Sequence, residues 1–304
     1  MAKPNSSRRP KIVFFGTPLF GKIVLESLLG ANSRVVGVVT QPDRPIGRDQ
    51  KMTPSPVKML AKEKKIPVLT PASKTDLLAT SHKLLAAKPT LFVVAAYGMI
   101  IPSEILRIPD RGALNVHPSL LPKYRGASPI QAAILKGELE TGVTIMQMDE
   151  EMDHGPILAQ QKIPLASRET TLSLTEKLVQ LGGKLLVETI SPYLAGKITP
   201  QPQNHELAIF TKLIRKEDGK ISWEAPNEQI ERMVRAYNPW PGVWTTVGEM
   251  AGQLDRELKN PKHQNLKLKI LSVHLENGTL SLDQIQVEGK KPISFANFAN
   301  GYLA

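Results

Sequence analysis

Cysteine is absent from the 304 residues, which excludes disulfides, thiolate zinc sites and a cysteine nucleophile, and fits a reducing cytoplasm. No apolar stretch is long enough to span a bilayer, so no membrane partner is expected. The basic start, with Lys3, Arg8 and Arg9, lacks the apolar run of a signal peptide behind it, because Lys11 to Phe15 is only strand-length. Residues 1–10 are therefore expected to be a disordered basic tail. Neither a low-complexity tract nor an internal repeat interrupts the chain, and an apolar fraction of 41 % suffices for a packed core. Gly16 and Gly21 do not complete the G-x-G-x-x-G fingerprint, so a dinucleotide cofactor is not supported.

What is present is positive charge, unevenly placed. The formal net charge is +11; residues 1–199 carry 26 Lys and Arg against 16 Asp and Glu, while residues 200–304 carry 13 against 12. The excess is densest from Arg44 to Lys88, where ten basic residues face only Asp49, Glu63 and Asp76. A field of that sign favours a polyanion through phosphate contacts, with a solvated helix face as the plainer alternative. Inside this region Gln41 to Pro56 holds four prolines and one glycine, which predicts a long loop rather than a regular element. Long loops in compact domains are disproportionately functional. Arg44, Arg48 and Lys51 on this loop are candidate phosphate contacts, and they tip the balance toward a polyanion.

Periodicity places the elements. Lys11 to Phe15, Arg34 to Thr40, Pro67 to Thr70 and Leu91 to Ala96 are short runs apolar on both faces, as strands of a covered parallel sheet are. Phe20, Ile23, Val24 and Leu28 recur at helical spacing behind the first. Ala113 to His117 is a fifth strand, Ile130 to Leu135 lies in a helix, and Thr141 to Met148 and Ile157 to Leu165 are strands. Thr170 to Tyr193 is a long amphipathic helix. The polar, proline-bearing stretch at 199–206 is the candidate linker. Beyond it come a helix from Asn227 to Tyr237 and strands at Val243 to Val247, Leu266 to Leu275 and Leu280 to Val287, the last two joined by an Asn277-Gly278 turn. The expected fold is α/β, an open, doubly wound, mostly parallel sheet over 11–198, then a small OB-like β-barrel over 207–304.

The chemistry centres on Asn115-Val116-His117-Pro118-Ser119-Leu120-Leu121-Pro122-Lys123-Tyr124-Arg125-Gly126. Alternation in a strand puts Asn115 and His117 on one face and Leu114 and Val116 on the other. Read alone, this pair is equally well a hydrogen-bonded polar tip of a buried strand. If the tips of the fifth and sixth strands lie together at the carboxyl edge of a parallel sheet, Asp153 joins them. An amide donor, an imidazole and a carboxylate suffice to pass a one-carbon acyl group to an amine: a donor for the oxyanion and groups to move the amine proton. No serine or cysteine nucleophile stands at the needed place, which favours direct attack by the amine. Metal binding by His117, His154 and nearby acids competes, but the spacings match no standard zinc pattern.

The same twelve residues, with Glu140-Thr141-Gly142-Val143-Thr144-Ile145-Met146-Gln147-Met148-Asp149 and Asp153-His154-Gly155, resemble the formyltransferases that use 10-formyltetrahydrofolate. Phe15-Gly16-Thr17-Pro18, Gln41-Pro42-Asp43-Arg44-Pro45, Pro54-Ser55-Pro56-Val57-Lys58 and Arg235-Ala236-Tyr237-Asn238-Pro239-Trp240-Pro241 look like the branch acting on methionyl initiator tRNA. The resemblance covers nearly the whole chain from Lys11. It implies that Asn115, His117 and Asp153 are catalytic, that Ser119, Leu120, Leu121 and Pro122 contact the folate, and that no metal takes part. It also implies that the loop from Gln41 to Pro56 enters at the acceptor end of the initiator tRNA and that the C-terminal barrel helps hold the RNA. The protein is expected to be cytoplasmic and a monomer.

The chain departs from the family pattern in three places. Pro118 stands where glycine is common and removes a backbone N–H. His154 stands where a small residue is usual and is expected to face solvent. The polar stretch from Gly248 to Leu266 leaves the C-terminal domain short of strands. Trp223, Trp240 and Trp244 are expected in the core of that domain, and Tyr97 either lines the folate pocket or packs in the core. The rival acceptors are an amino-sugar nucleotide or a purine precursor; a binding protein without activity is the rival from another class.

Overall fold

The computed structural model of the protein describes residues 9–47 and 49–304. Met1 to Arg8, the bulk of the expected tail, and Arg48 lie outside the described residues. Two compact units divide the chain: Met1–Arg125, Thr141–Ile163 and Thr175–Phe210 form one, and Gly126–Glu140, Pro164–Leu174 and Thr211–Ala304 the other. The expected boundary at 199–206 does not coincide with these units.

In the first unit β1 (Lys11–Gly16), α1 (Leu19–Gly30) and β2 (Arg34–Val39) make the expected strand, turn, helix and strand. There follow β3 (Arg44–Ile46), β4 (Lys51–Thr53), α2 (Pro56–Glu63), β5 (Val68–Leu69), α3 (Lys74–Ala79), α4 (Ser81–Ala87), β6 (Leu91–Ala95), α5 (Ser103–Leu106) and β7 (Ala113–His117). Beyond the short β8 (Arg125–Gly126) and α6 (Pro129–Lys136) come β9 (Glu140–Gln147), β10 (Ile157–Pro164), α7 (Thr171–Leu194) and the short β11 (Phe210–Thr211).

Among the described residues the main sheet runs β10-β9-β7-β6-β1-β2-β5. β7, β6, β1, β2 and β5 are parallel to one another, whereas β9 runs antiparallel to β7. The centre is β1 beside β6, where Ile12 to Phe15 and Leu91 to Ala95 are all buried. Each such Phe, Leu or Ile stabilises the fold by about 1.5–3 kcal/mol, so the sheet's centre is its firmest part. Tyr97 packs in that core: its ring meets Phe15 edge-on at 5.5 Å, and burial pushes its phenol up to about 12.

The stretch from Gln41 to Pro56 is not a bare loop. β3 and β4 pair antiparallel, with Pro45 opposite Met52, and Pro56 already opens α2. Proline is tolerated here because a two-stranded ribbon is all edge, where a missing N–H costs little. The hairpin's base is anchored by the Gln41 amide, which donates to the carbonyls of Tyr97 and Gly98 at 3.1 and 2.8 Å, and by Lys58 on Asp43 at 2.6 Å. Arg44 donates to the Gln41 side-chain oxygen, and both Arg44 and Lys51 are exposed.

In the second unit α6 packs on α8 (Asn227–Tyr237), which ends where the sequence predicts. Thr171 donates to the Ala236 carbonyl at 2.6 Å and Arg235 to that of Glu169 at 2.8 Å. Then come β12 (Val243–Thr246), α9 (Val247–Gln253), β13 (Lys267–Glu276), β14 (Thr279–Val287), β15 (Ile293–Ser294) and α10 (Phe295–Tyr302). The strands form an antiparallel sheet in the order β12-β13-β14-β15, a small barrel-like domain with Phe298 of α10 fully buried. Asn277 and Gly278 both have positive φ, 50° and 79°, as the tight β13–β14 hairpin requires. The polar stretch after β12 holds α9, which the sequence reading missed because the helix is short and its pattern is weak.

The tryptophans are not core. Trp240 is 53 % exposed, and Trp223 and Trp244 are half-buried, Trp244 carrying the Lys267 ammonium 3.8 Å above its ring. The prolines beside Trp240 hold a turn at the surface, not an interior one.

α9 starts on a capping box. The Glu249 carboxylate accepts from Lys220 at 2.9 Å and from the Thr245 hydroxyl and Thr246 N–H, each at 3.0 Å. The Lys220 contact leads in holding this carboxyl down, from 4.5 to about 2. The folded value is depressed, so the stabilisation is complete above pH 4.5 and is lost as pH falls through about 2. Glu249→Gln should therefore flatten the pH dependence of stability between those limits, read from denaturant midpoints at stepped pH, and change its slope little above pH 6.

Candidate active site

β7 delivers the two polar side chains as its alternation demands: Leu114 and Val116 are buried among apolar groups, and Asn115 and His117 share the other face. α7 comes close behind it, since a Cβ on Gly182 would lie 2.8 Å from the Val116 methyl. Asp153 completes the group. Asn115 Nδ2 donates to Asp153 Oδ1 at 3.3 Å, and His117 Nδ1 stands 3.5 Å from the same oxygen. His117 is only 3 % exposed.

The route by which Asp153 arrives differs from the expectation. The carboxyl ends of β7 and β9 do not lie together, because β9 is antiparallel and pairs Leu114 with Gln147 and His117 with Thr144. The turn after β9 instead folds back alongside β7. Asp153 sits in it at φ 51°, and Gly155 passes so near the strand that a Cβ would lie 2.0 Å from the Gln147 carbonyl oxygen. A side chain at 155 would push the turn off β9 and take Asp153 with it.

The contacts fix the histidine's tautomer. Nε2 lies 3.0 Å from the Tyr124 carbonyl oxygen, which only accepts, so Nε2 carries a proton and Nδ1 is the nitrogen turned toward Asp153. A neutral His117 is then a base at Nδ1; once protonated there, it is a donor at the same point. His154 does not face solvent freely: its Nδ1 meets Asp149 at 2.6 Å and its ring stacks on His205 at 4.1 Å, nearly parallel to it. Among the described residues no three His, Asp or Glu side chains gather as a metal site.

The four loop residues assigned to the folate are placed unequally. Ser119 and Leu121 are buried, and the Ser119 hydroxyl donates to the Lys123 carbonyl at 2.6 Å. Leu120 and Pro122 are half-buried and keep surface to offer a ligand. The sequence reading missed what holds this loop. Thr144, fully buried opposite His117, donates to the Ser119 carbonyl at 2.7 Å and accepts from the Leu121 N–H at 3.1 Å, and Gln160 donates to both Thr144 Oγ1 and the Leu121 carbonyl at 2.8 Å. It also missed Gln203, in the supposed linker, which is buried against the Asp153 turn. Nothing local marks these three, since a polar residue on a strand or after a proline reads alike whether it meets water or a buried carbonyl.

An amide, an imidazole and a carboxylate thus meet at one strand of a mostly parallel sheet, and the relatives of the chain are one-carbon acyl transferases. A family model described as formyl transferase matches residues 10–190, and one described as formyl transferase, C-terminal domain, matches residues 213–303. The chain belongs to the formyl transferase family. Among curated relatives, the methionyl-tRNA formyltransferase of Roseiflexus castenholzii is 45 % identical over 96 % of both chains, and that of Chloroflexus aurantiacus is 49 % identical over 77 % of this chain and 76 % of its own. Among solved structures, an N-formyltransferase from Helicobacter canadensis, in complex with folinic acid and dTDP-3-aminofucose, superposes with a TM-score of 0.61 at 20 % identity, covering 94 % of this chain and 98 % of that one. At that identity the likeness speaks for the fold alone.

Thr144→Val removes one donor and one acceptor from buried partners. It should lower stability by about 1–3 kcal/mol, read by denaturant unfolding, and raise the KM for the formyl donor more than that for the acceptor.

Proposed function

We propose that the chain transfers the formyl group of 10-formyltetrahydrofolate to the amino group of methionine carried by initiator tRNA, in the cytoplasm. The observation that carries the reading is the approach of Asn115 and His117 to one carboxylate oxygen of Asp153, in a chain whose curated relatives at 45 % and 49 % identity are methionyl-tRNA formyltransferases. The sequence division still serves as the functional one: 11–198 for catalysis and 207–304 for holding the RNA.

The residues act as follows. Asn115 Nδ2 and, once protonated, His117 Nδ1 are the donors for the oxyanion that forms when the methionine amine attacks the formyl carbon, beside the Asp153 carboxylate that both of them approach. Neutral His117 accepts the amine's surplus proton at Nδ1 and, so charged, donates to that oxyanion. Asp153 balances the imidazolium and helps return the proton to the departing folate nitrogen, after which the C–N bond to the folate breaks. Leu120 and Pro122 offer the donor an apolar edge. No covalent acyl-enzyme is needed, because the amine is itself the nucleophile.

The β3–β4 hairpin, with Arg44 and Lys51, and Arg48 between them in the sequence, is the proposed contact with the acceptor end of the tRNA. Its support is the basic excess from Arg44 to Lys88 and the exposure of Arg44 and Lys51. The amino-sugar and purine alternatives lack such a hairpin's rationale, since neither substrate carries an extended run of phosphates.

Formylation of charged initiator tRNA with 10-formyltetrahydrofolate is the direct assay; binding without product would leave a binding protein. Asn115→Ala and His117→Ala should each reduce kcat by about 10²–10³-fold with the fold intact by circular dichroism, and near-normal turnover at saturating substrates would refute the assignment. Reversing the charges of Arg48 and Lys51 should weaken tRNA binding, measured by filter retention, more than reversing Lys267 and Lys269; the opposite order would move the main RNA contact to the second unit.

A further inference from the structure

Gln203 is 5 % exposed and spends its whole hydrogen-bonding capacity on one arrangement. Arg125, itself 3 % exposed, donates to Gln203 Oε1 through Nε at 3.1 Å and Nη2 at 2.7 Å. With the oxygen committed to the guanidinium, the two protons on Nε2 must point the other way. They go to the carbonyls of Asp153, at 2.9 Å, and Gly155, at 2.7 Å. Arg125 is steadied in turn by His205 Nδ1 at 2.8 Å.

The turn so gripped is one that does not keep its shape unaided. Asp153 holds φ 51°, a region that costs a residue with a Cβ and persists only where the surroundings over-determine it. The Gln147 N–H holds one side of the turn by donating to the Pro156 carbonyl at 2.9 Å, and Gln203 grips two of its carbonyls. A main-chain carbonyl held in place carries the Cα with it, and the carboxylate lies only two bonds further out.

We infer that Gln203 is a positioning residue for formyl transfer: clamped by Arg125, it fixes the main chain at Asp153 and so the carboxylate against Asn115 and His117. The inference rests on the reading of Asp153 given under the proposed function. Without the two donated bonds, the carboxylate drifts on the scale where about 1 Å of misplacement costs about 10²-fold in rate. Gln203 touches no reacting atom, so its loss acts on turnover and not on substrate affinity.

The test is a double-mutant cycle in the full chain, with formylation of charged initiator tRNA followed in steady state and in single turnover for Gln203→Met, Asp153→Ala and the double variant. Gln203→Met should lower kcat about 10- to 100-fold with both KM values essentially unchanged, and should add little to Asp153→Ala, because the group it positions is already gone. The inference is overturned by unchanged kcat in Gln203→Met beside a crippled Asp153→Ala, by a loss confined to KM, or by losses that multiply in the double variant. Full activity in Asp153→Ala would instead overturn the reading of the site, and the inference with it. Gln203→Glu keeps an acceptor for Arg125 while removing both donors; the same expectations apply to it, and it decides the matter if Gln203→Met does not fold.

Discussion

The site depends on the antiparallel pairing of β9 with β7. Had β9 run parallel to β7, its following turn would have left from the far end of the sheet. Pairing His117 with Thr144 and Leu114 with Gln147 instead brings β9 to its end near the start of β7, and the turn after it must run back along that strand. Asp153 reaches Asn115 and His117 on this return. The tight approach at Gly155 and the left-handed residue at Asp153 are what the reversal demands locally.

Around this pairing the polar groups sort into two supports. Thr144 and Gln160 reach from β9 and β10 to the loop after β7, and Arg125 with Gln203 reaches to the turn after β9. Both supports work by buried side chains satisfying main-chain groups that no regular element satisfies, the usual need where a loop is held inside a fold. The first steadies Leu120 and Pro122, the second Asp153. A rigid parallel sheet stands behind both, with the aromatic and aliphatic residues of β1 and β6 at its centre.

The hairpin of β3 and β4 shows the opposite balance. Its strands are three residues long and almost wholly exposed, and its base is tied down through Gln41 and Lys58. Such a ribbon has few buried apolar contacts to keep it rigid, which suits a basic arm meeting a long charged partner. Net charge falls where that arm is, and the barrel-like unit is nearly neutral by comparison.

The sequence by itself determined the strands of the parallel sheet, the helix ending at Tyr237, the Asn277-Gly278 hairpin and the candidacy of Asn115, His117 and Asp153. Each of these is a local matter: period, turn chemistry or residue type. Tertiary structure alone decided that β9 runs antiparallel, that the proline-rich stretch after β2 forms a hairpin, that Trp240 is at the surface, that His154 stacks on His205, and that Gln203 is buried. The physical reason is common to them. A polar or aromatic residue carries no local record of which distant carbonyl, ring or strand will cover it, and strand direction is set by pairing across the sheet. Asn115 and His117 were legible because the alternation of one strand places them; the grip on Asp153 was not, because its two ends lie fifty residues apart in the chain.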